Sequence, residues 1–271
     1  MRTPPQTPAH SAVPTATPPA TPASTGPGTP DAPGSRGGPA APSGEGPNPA
    51  GARGVRSYVV RAGRITPAQQ RALEDLWPRY GVNLAGGPLD LRALFGREAP
   101  CTLEIGFGNG DNLLARATAE PERNFLGVEV HRPGVGHLLL GASNAQLSNL
   151  RVIVQDAVPV VQRLPAGALE EVQVLFPDPW PKKRHHKRRL LQPAFIARLA
   201  AALRAAGRLH IVTDWQPYAE QIGADLVACE TLISAEQLPQ LTASSRLETR
   251  FERRGTRLGH GIHEFLYVRR A

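Results

Sequence analysis

Three acids and three glycines between positions 104 and 156 carry the first chemistry this sequence offers. The glycines are Gly106, Gly108 and Gly110 in the run LEIGFGNGD, spaced GxGxG and directly following a short apolar segment. At the carboxyl end of a strand, such glycines let the backbone come close to a ligand. A dinucleotide fingerprint needs GxGxxG and a helix start that welcomes an anion, but here the next residue is Asp111, a poor neighbour for a pyrophosphate. Carboxylates stand where phosphate-binding groups would be expected: Glu104 before the glycines, Glu129 in GVEVH and Asp156 in VQDAV. Glu104 suits an ammonium, Glu129 a pair of ribose hydroxyls, and Asp156 the exocyclic amine of adenine. Together they describe a site for a cationic adenosyl amino acid without phosphates, S-adenosylmethionine. Taken singly, GxGxG can also be a tight turn into a helix, and each acid a helix N-cap or a solvated loop residue.

A second constellation lies at 175–189, LFPDPWPKKRHHKRR. An apolar run ends in a lone carboxylate, Asp178, framed by prolines, and eight residues follow of which six are Lys or Arg and two are His. Such a run is a dense source of phosphate contacts; a solvated face or a localisation signal are the other readings. Trp180 sits between two prolines, either to stack on a base or to brace the loop. Asp214 precedes Trp215 at the end of another apolar run, where it can meet a ligand or cap a helix. The histidines 131, 137, 185, 186 and 210 show no metal-ligand spacing, so no metal is expected.

These groups need strands and helices to hold them. Strand-like runs at 101–105, 125–130, 150–154, 172–176 and 208–213 alternate with helical patterns at 111–118, 133–147, 193–206 and 216–229. That alternation predicts an α/β domain with a mostly parallel sheet covered on both faces. Before it, TPAQQRALEDLWPRY predicts a helix over 66–80 with Thr66 as cap and Pro67 in the first turn. After it, runs at 246–253 and 263–269 around the turn-prone RGTRLGHG predict a C-terminal antiparallel hairpin.

Composition bounds the rest. Of the 271 residues, the first fifty hold half of the 28 prolines and no Leu, Ile, Phe, Trp or Tyr. They have almost nothing to bury, so residues 1–54 are expected to form a disordered tail and 55–271 one catalytic domain. In those fifty residues Arg2 and Arg36 cancel Asp31 and Glu45, leaving the net charge of +8 on the remainder, a balance that suits a polyanionic partner or simple solubility. No run of eighteen apolar residues predicts a membrane span, and with only Cys101 and Cys229 a disulfide framework is not indicated. A cytoplasmic enzyme fits these features; monomer and homodimer remain equally open.

LEIGFGNGDNLL, FLGVEVHRPGV, FPDPWPKKRHHKRRL, TDW at 213–215 and TRFERRGTRLGHGIHEF at 249–265 together resemble the bacterial tRNA (guanine-N7-)-methyltransferases. The resemblance runs in order from about Thr66 to the last residues and leaves out the proline-rich start. It implies a seven-stranded Rossmann-like class I methyltransferase fold, S-adenosylmethionine as cofactor, and tRNA as partner, methylated on N7 of the guanine at position 46 in the variable loop. It implies cofactor contacts at Glu104, Glu129, Asp156 and Asp178, with Asp178 also catalytic. Substrate contacts are implied at Lys182, Asp214, Thr249, Arg250, Phe251 and Glu252, and an RNA-binding segment at Arg184, His185, His186, Lys187, Arg188 and Arg189. The competing readings are a small-molecule methyltransferase, which has no use for the basic octamer, an RNA-binding protein on an inactive methyltransferase fold, and a nicotinamide-dependent oxidoreductase, which GxGxG and Asp111 disfavour.

Overall fold

The structure, a computed structural model, describes residues 57–58, 63–84, 86–238 and 261–271. Residues 1–56 and 239–260 lie outside it, and with them the expected tail, the strand at 246–253 and the substrate contacts Thr249, Arg250, Phe251 and Glu252.

The N-terminal helical pattern is two helices, α1 (Pro67–Asp75) and α2 (Trp77–Tyr80). Thr66 caps α1 in a reciprocal capping box with Gln69, as its hydroxyl and the spacing predict. The continuous helix expected over 66–80 is broken at Leu76, because Pro78 has no N–H for the helical ladder and fits only in the first turn of a new helix. Then follow α3 (Leu91–Phe95), β1 (Cys101–Ile105), α4 (Asp111–Ala119), β2 (Asn124–Val128), α5 (Arg132–Asn144), β3 (Leu150–Ile153), α6 (Ala157–Gln162) and β4 (Leu169–Leu175). A 3-10 helix over Lys183–Arg188 leads to α7 (Pro193–Ala202), β5 (Leu203–Thr213), α8 (Gln216–Val227), β6 (Leu232–Ser234) and β7 (His263–Arg269).

One helix is shorter than its pattern. Residues 203–206 were expected to continue a helix and instead begin β5, since Leu203 is already extended and Ala206 takes a left-handed φ of 59°. There Leu169 pairs with Leu203 and Glu171 with Arg208, so 204–207 bulge out of the ladder.

The sheet has seven strands in the order β3-β2-β1-β4-β5-β7-β6. Neighbours from β3 to β5 run parallel, and β7 runs antiparallel to both β5 and β6. Among the described residues the antiparallel partners of β7 are thus β5 and the three-residue β6. From β1 the chain winds outward to β3 and then returns to place β4 on the other side of β1, which puts the topological switch point between β1 and β4.

Strand alternation sends Cys101, Leu103, Ile105, Val172, Val174, Leu209 and Ile211 into a core completed by α6, α7 and α8. On the opposite face Phe125, Leu150 and Val152 pack against α1, α2, α4 and α5. Glu104 pairs in register with both Gly127 and Gln173, so it shares that second face and lies under α4. No described helix is long and apolar enough to cross a membrane.

Candidate active site

Each of the first five strands delivers one acid at or just past its carboxyl end. Read across the sheet these are Asp156 after β3, Glu129 after β2, Glu104 in β1, Asp178 after β4 and Asp214 after β5. Glu104 and Asp178 therefore flank the switch point, with Glu129 and Asp156 outward on one side and Asp214 on the other. A crevice at the carboxyl end of a switch point is where ligands bind in open α/β sheets.

The glycine loop is shaped for close approach. Gly106, Gly108 and Gly110 all have positive φ, at 73°, 60° and 80°. A side chain would be strained at each. Around Gly106 and Gly108 nothing lies within 4 Å of where a Cβ would stand, so the loop leaves open space on its ligand side. Glu129 ties the loop to β2: one carboxylate oxygen accepts from the Gly108 N–H at 2.8 Å, the other from the N–H groups of Val130 at 2.6 Å and His131 at 2.9 Å. Three backbone amides thus orient this carboxylate and take three of its roughly four acceptor sites, leaving one on Oε2 toward the ribose. From the other side Gly134, at the start of α5, brings its backbone onto Gly108; a Cβ there would meet the Gly108 carbonyl oxygen at 1.9 Å.

Glu104 is buried, at 3% exposure. Its Oε2 accepts from Asn112 Nδ2 at 2.8 Å, and the same amide nitrogen donates to Gln173 Oε1 at 2.9 Å. Gln173 donates in turn to Glu171, which Arg116 and Arg208 neutralise. Burial pushes the Glu104 carboxyl up to about 7, against the lowering effects of the Asn112 bond and the Arg116 charge. A buried carboxyl poised near neutrality gains most from a cationic ligand.

Asp156 caps α6 by accepting from the Val158 N–H at 2.9 Å while staying half-buried, so the N-cap reading of this acid is correct as far as one oxygen is concerned. Asp214 is different. The N-cap of α8 is Trp215, with no side-chain cap bond, so Asp214 stands one residue before the cap position.

Asp178 is exposed on a loop bounded by two strained residues, Phe176 at φ 53° and Trp180 at φ 46°, each preceding a proline. Non-glycine residues in this region cost about 1–3 kcal/mol each and persist where their surroundings over-determine them. Trp180 is held in this way. It is buried, its indole N–H donates to the Ser57 carbonyl at 3.2 Å, the Arg188 guanidinium lies 5.0 Å from its ring centre, and His185 meets it edge-on. Of the two readings of this residue, bracing is the one its surroundings match.

Within the basic run Lys182, Lys183, Arg184 and Lys187 are exposed, and His185, His186 and Arg188 are half-buried. Desolvation and then the charges of Arg184, Arg188, Lys182 and Lys187 hold the His185 imidazole below the usual histidine range. Arg189 departs from the expected RNA-facing run: it is 3% exposed and faces inward. No group of three His, Cys, Asp or Glu among the described residues could hold a metal ion.

Asn112, Gln173 and Gly134 are site components that sequence reasoning did not single out. Asn112 offered a signal, as a polar residue in the first turn of a helix that follows a glycine loop. Gln173 offered none beyond its place in an apolar run, and Gly134 none beyond its place after Pro133 at a helix start.

The donor set fits S-adenosylmethionine: a buried carboxyl for an ammonium, an oriented carboxylate beside a glycine cradle, and a half-buried acid beyond it. A family model described as a putative methyltransferase matches residues 98–265, a span that takes in all five strand-end acids and the basic run. The chain is 52% identical over 222 residues to the tRNA (guanine-N(7)-)-methyltransferase of Nitrosococcus oceani, covering 80% of this chain and 92% of that one. It is 52% identical over 220 residues to the protein of that name from Halorhodospira halophila, covering 79% and 95%. It is 54% identical over 217 residues to that of Leifsonia xyli subsp. xyli, covering 78% and 94%. These alignments take in more than nine tenths of each relative and about four fifths of this chain.

Proposed function

The chain belongs to the tRNA (guanine-N(7)-)-methyltransferase family, and we propose that it transfers a methyl group from S-adenosylmethionine to N7 of a guanine in tRNA, at position 46 of the variable loop. The observation that carries this reading is the adjacency of Asp178, at the switch point, to the exposed cations Lys182, Lys183, Arg184 and Lys187. A small-molecule methyltransferase needs the first and has no use for the second.

When bound, S-adenosylmethionine supplies an electrophilic methyl on a sulfonium. Glu104 holds the ammonium end, Glu129 the ribose hydroxyls and Asp156 the adenine amine, with Gly106 and Gly108 giving the backbone room to approach. Guanine N7 carries a lone pair and no proton, so no strong base is required. The chain's main task is to align the two reactants, which can lower a barrier by about 7–11 kcal/mol. Asp178 accepts from guanine N1–H and the 2-amino group, a pair that adenine lacks. Its charge also favours the ring as positive charge moves onto it. Asp214 is the second contact to the base. The exposed cations grip the RNA backbone, and their binding energy pulls the guanine out of its tertiary contacts. A tRNA substrate makes the cytoplasm the working compartment.

The test is incubation with labelled S-adenosylmethionine and unmodified tRNA, followed by borohydride and aniline cleavage. Label on guanine and chain scission at position 46 support the reading. Label on another atom, or transfer that survives replacement of the guanine at 46, overturns it.

A further inference from the structure

Arg189 ends the basic run, yet its geometry is that of an internal tie. Its Nε donates to the Pro179 carbonyl at 3.0 Å, and its Nη1 to the Pro217 carbonyl at 3.3 Å and to Gln221 Oε1 at 2.7 Å. Its guanidinium lies 4.8 Å from the centre of the Tyr218 ring. Pro179 is the residue after Asp178, and Pro217 sits in the first turn of α8, three positions after Asp214. One side chain therefore joins the two turns that carry the two acids facing the base. Within the Asp178 turn Pro177, Pro179 and Pro181 have no N–H to give. Its two strained residues need outside partners. The Phe176 N–H finds one in the Val212 carbonyl at 2.7 Å, Trp180 in Ser57, and the Pro179 carbonyl between them in Arg189.

We propose that Arg189 is a positioning residue: it fixes the Asp178 turn against the start of α8, sets the separation of Asp178 and Asp214, and makes no phosphate contact. The inference rests on the reading of this protein as a guanine methyltransferase. A planar guanidinium can serve acceptors in several directions at once, which an ammonium on a flexible stem cannot do in the same geometry. The tie is thus a demand for arginine, distinct from the demand for charge that phosphate makes.

Two substitutions in the full-length chain separate these demands. Arg189→Lys keeps the charge and loses the fork; kcat at saturating tRNA is expected to fall by about ten- to a hundredfold, with KM for tRNA within about twofold of wild type. Arg189→Met removes the charge; the slope of log K against log salt for tRNA binding is expected to stay at the wild-type value, whereas Arg184→Ala lowers it by about one. Gln221→Leu guards against a folding failure, since it leaves Arg189 in place and removes one partner: kcat falls severalfold and the slope stays. Trypsin cleavage at Lys182–Arg184 is expected to speed up severalfold in Arg189→Lys and Gln221→Leu. That readout does not depend on any methyl transfer, so the tie is tested even where wild type fails to methylate tRNA and the functional reading falls. A slope lowered by about one in Arg189→Met, with unchanged kcat in Arg189→Lys, makes Arg189 a phosphate contact and overturns the proposal. Unchanged kcat and unchanged cleavage in Gln221→Leu overturn it as well.

Discussion

Glu104 and Asn112 meet at 2.8 Å beneath the glycine loop, a buried carboxyl from β1 against a buried amide from α4. The bond fixes which way the carboxyl faces, and the burial that makes it possible raises the carboxyl to about 7. Position and ionisation are therefore set by one packing arrangement, and each can be perturbed separately.

Affinity for S-adenosylmethionine is expected to rise with pH up to about 7. An ammonium ligand binds the ionised form, so below the raised value binding must expel the Glu104 proton, and affinity falls by up to about tenfold per unit. Above about 7.7 the α-amino group of the ligand begins to titrate, and affinity falls again. Asn112→Ala removes a bond that lowers the Glu104 value and should move the rising limb to higher pH. Calorimetric titration across pH checks both, and a flat profile from 5 to 7 would exclude Glu104 as the ammonium partner.

Glu104→Gln should make the ligand-free protein more stable near neutrality while weakening cofactor binding. The folded carboxyl sits near 7 against an ordinary 4.5, so between those values the folded state holds more protons than the unfolded one. Stability then falls as pH rises through that window, by on the order of 3 kcal/mol once the window is passed. Glutamine never ionises and escapes the loss. The gain in Tm should be largest at pH 8, smaller at pH 5, and absent only below about pH 4.

Gly134→Ala is expected to cost about 1–3 kcal/mol of stability and to weaken cofactor binding. The added methyl would stand 1.9 Å from the Gly108 carbonyl oxygen, a backbone atom of the cradle that cannot turn aside. Gly86→Ala, with nothing within 4 Å of its Cβ, is the control. Thermal melts with and without cofactor read both effects; equal behaviour of the two variants would mean that α5 can shift away at no cost.

Much of this site can be read along the chain because strand ends are local features. An acid at the close of an apolar run, as Glu129 and Asp178 are, needs only the strand to be correct, and the five parallel strands are marked by their own apolar residues. What escapes is whatever depends on a distant partner. Arg189 is one of eight polar residues in a row, and its inward turn is decided by Tyr218 and Gln221 in a helix that starts 27 residues later. β6 is three residues long, too short to show alternation, and is a strand because β7 pairs with it. Residues 203–206 look helical by composition and become β5 through pairing with β4.

Asp178→Asn should lower kcat by about a hundred- to a thousandfold and relax the preference for guanine. The amide keeps the size and one acceptor, so it cannot take N1–H and the 2-amino group together, and it has no charge to offset the growing positive charge of the ring. A thermal melt separates folding from catalysis, since Asp178 is exposed on its loop and the core is untouched. Full activity with unchanged base choice would remove Asp178 from both roles.

Lys182, Lys183, Arg184 and Lys187 project from the 3-10 helix and its start, whereas Arg188 lies against Trp180 and Arg189 is buried. Alanine at all four exposed positions should weaken tRNA binding and lower the salt slope by up to about four, one for each lost phosphate contact. His185 adds nothing to this count at neutral pH, because its imidazole is held below the usual range and stays uncharged. Its contribution appears only as pH falls, so the salt slope of the otherwise unaltered chain should steepen at acid pH, and less so when His185 is replaced by Gln. Trp180→Ala should leave the four charges in place and still weaken binding, because it removes the platform under Arg188 and the bond to Ser57 that fix the segment's orientation. Filter binding across salt concentrations checks all three. A Trp180→Ala protein with wild-type affinity and slope would show that the segment holds its orientation without the indole.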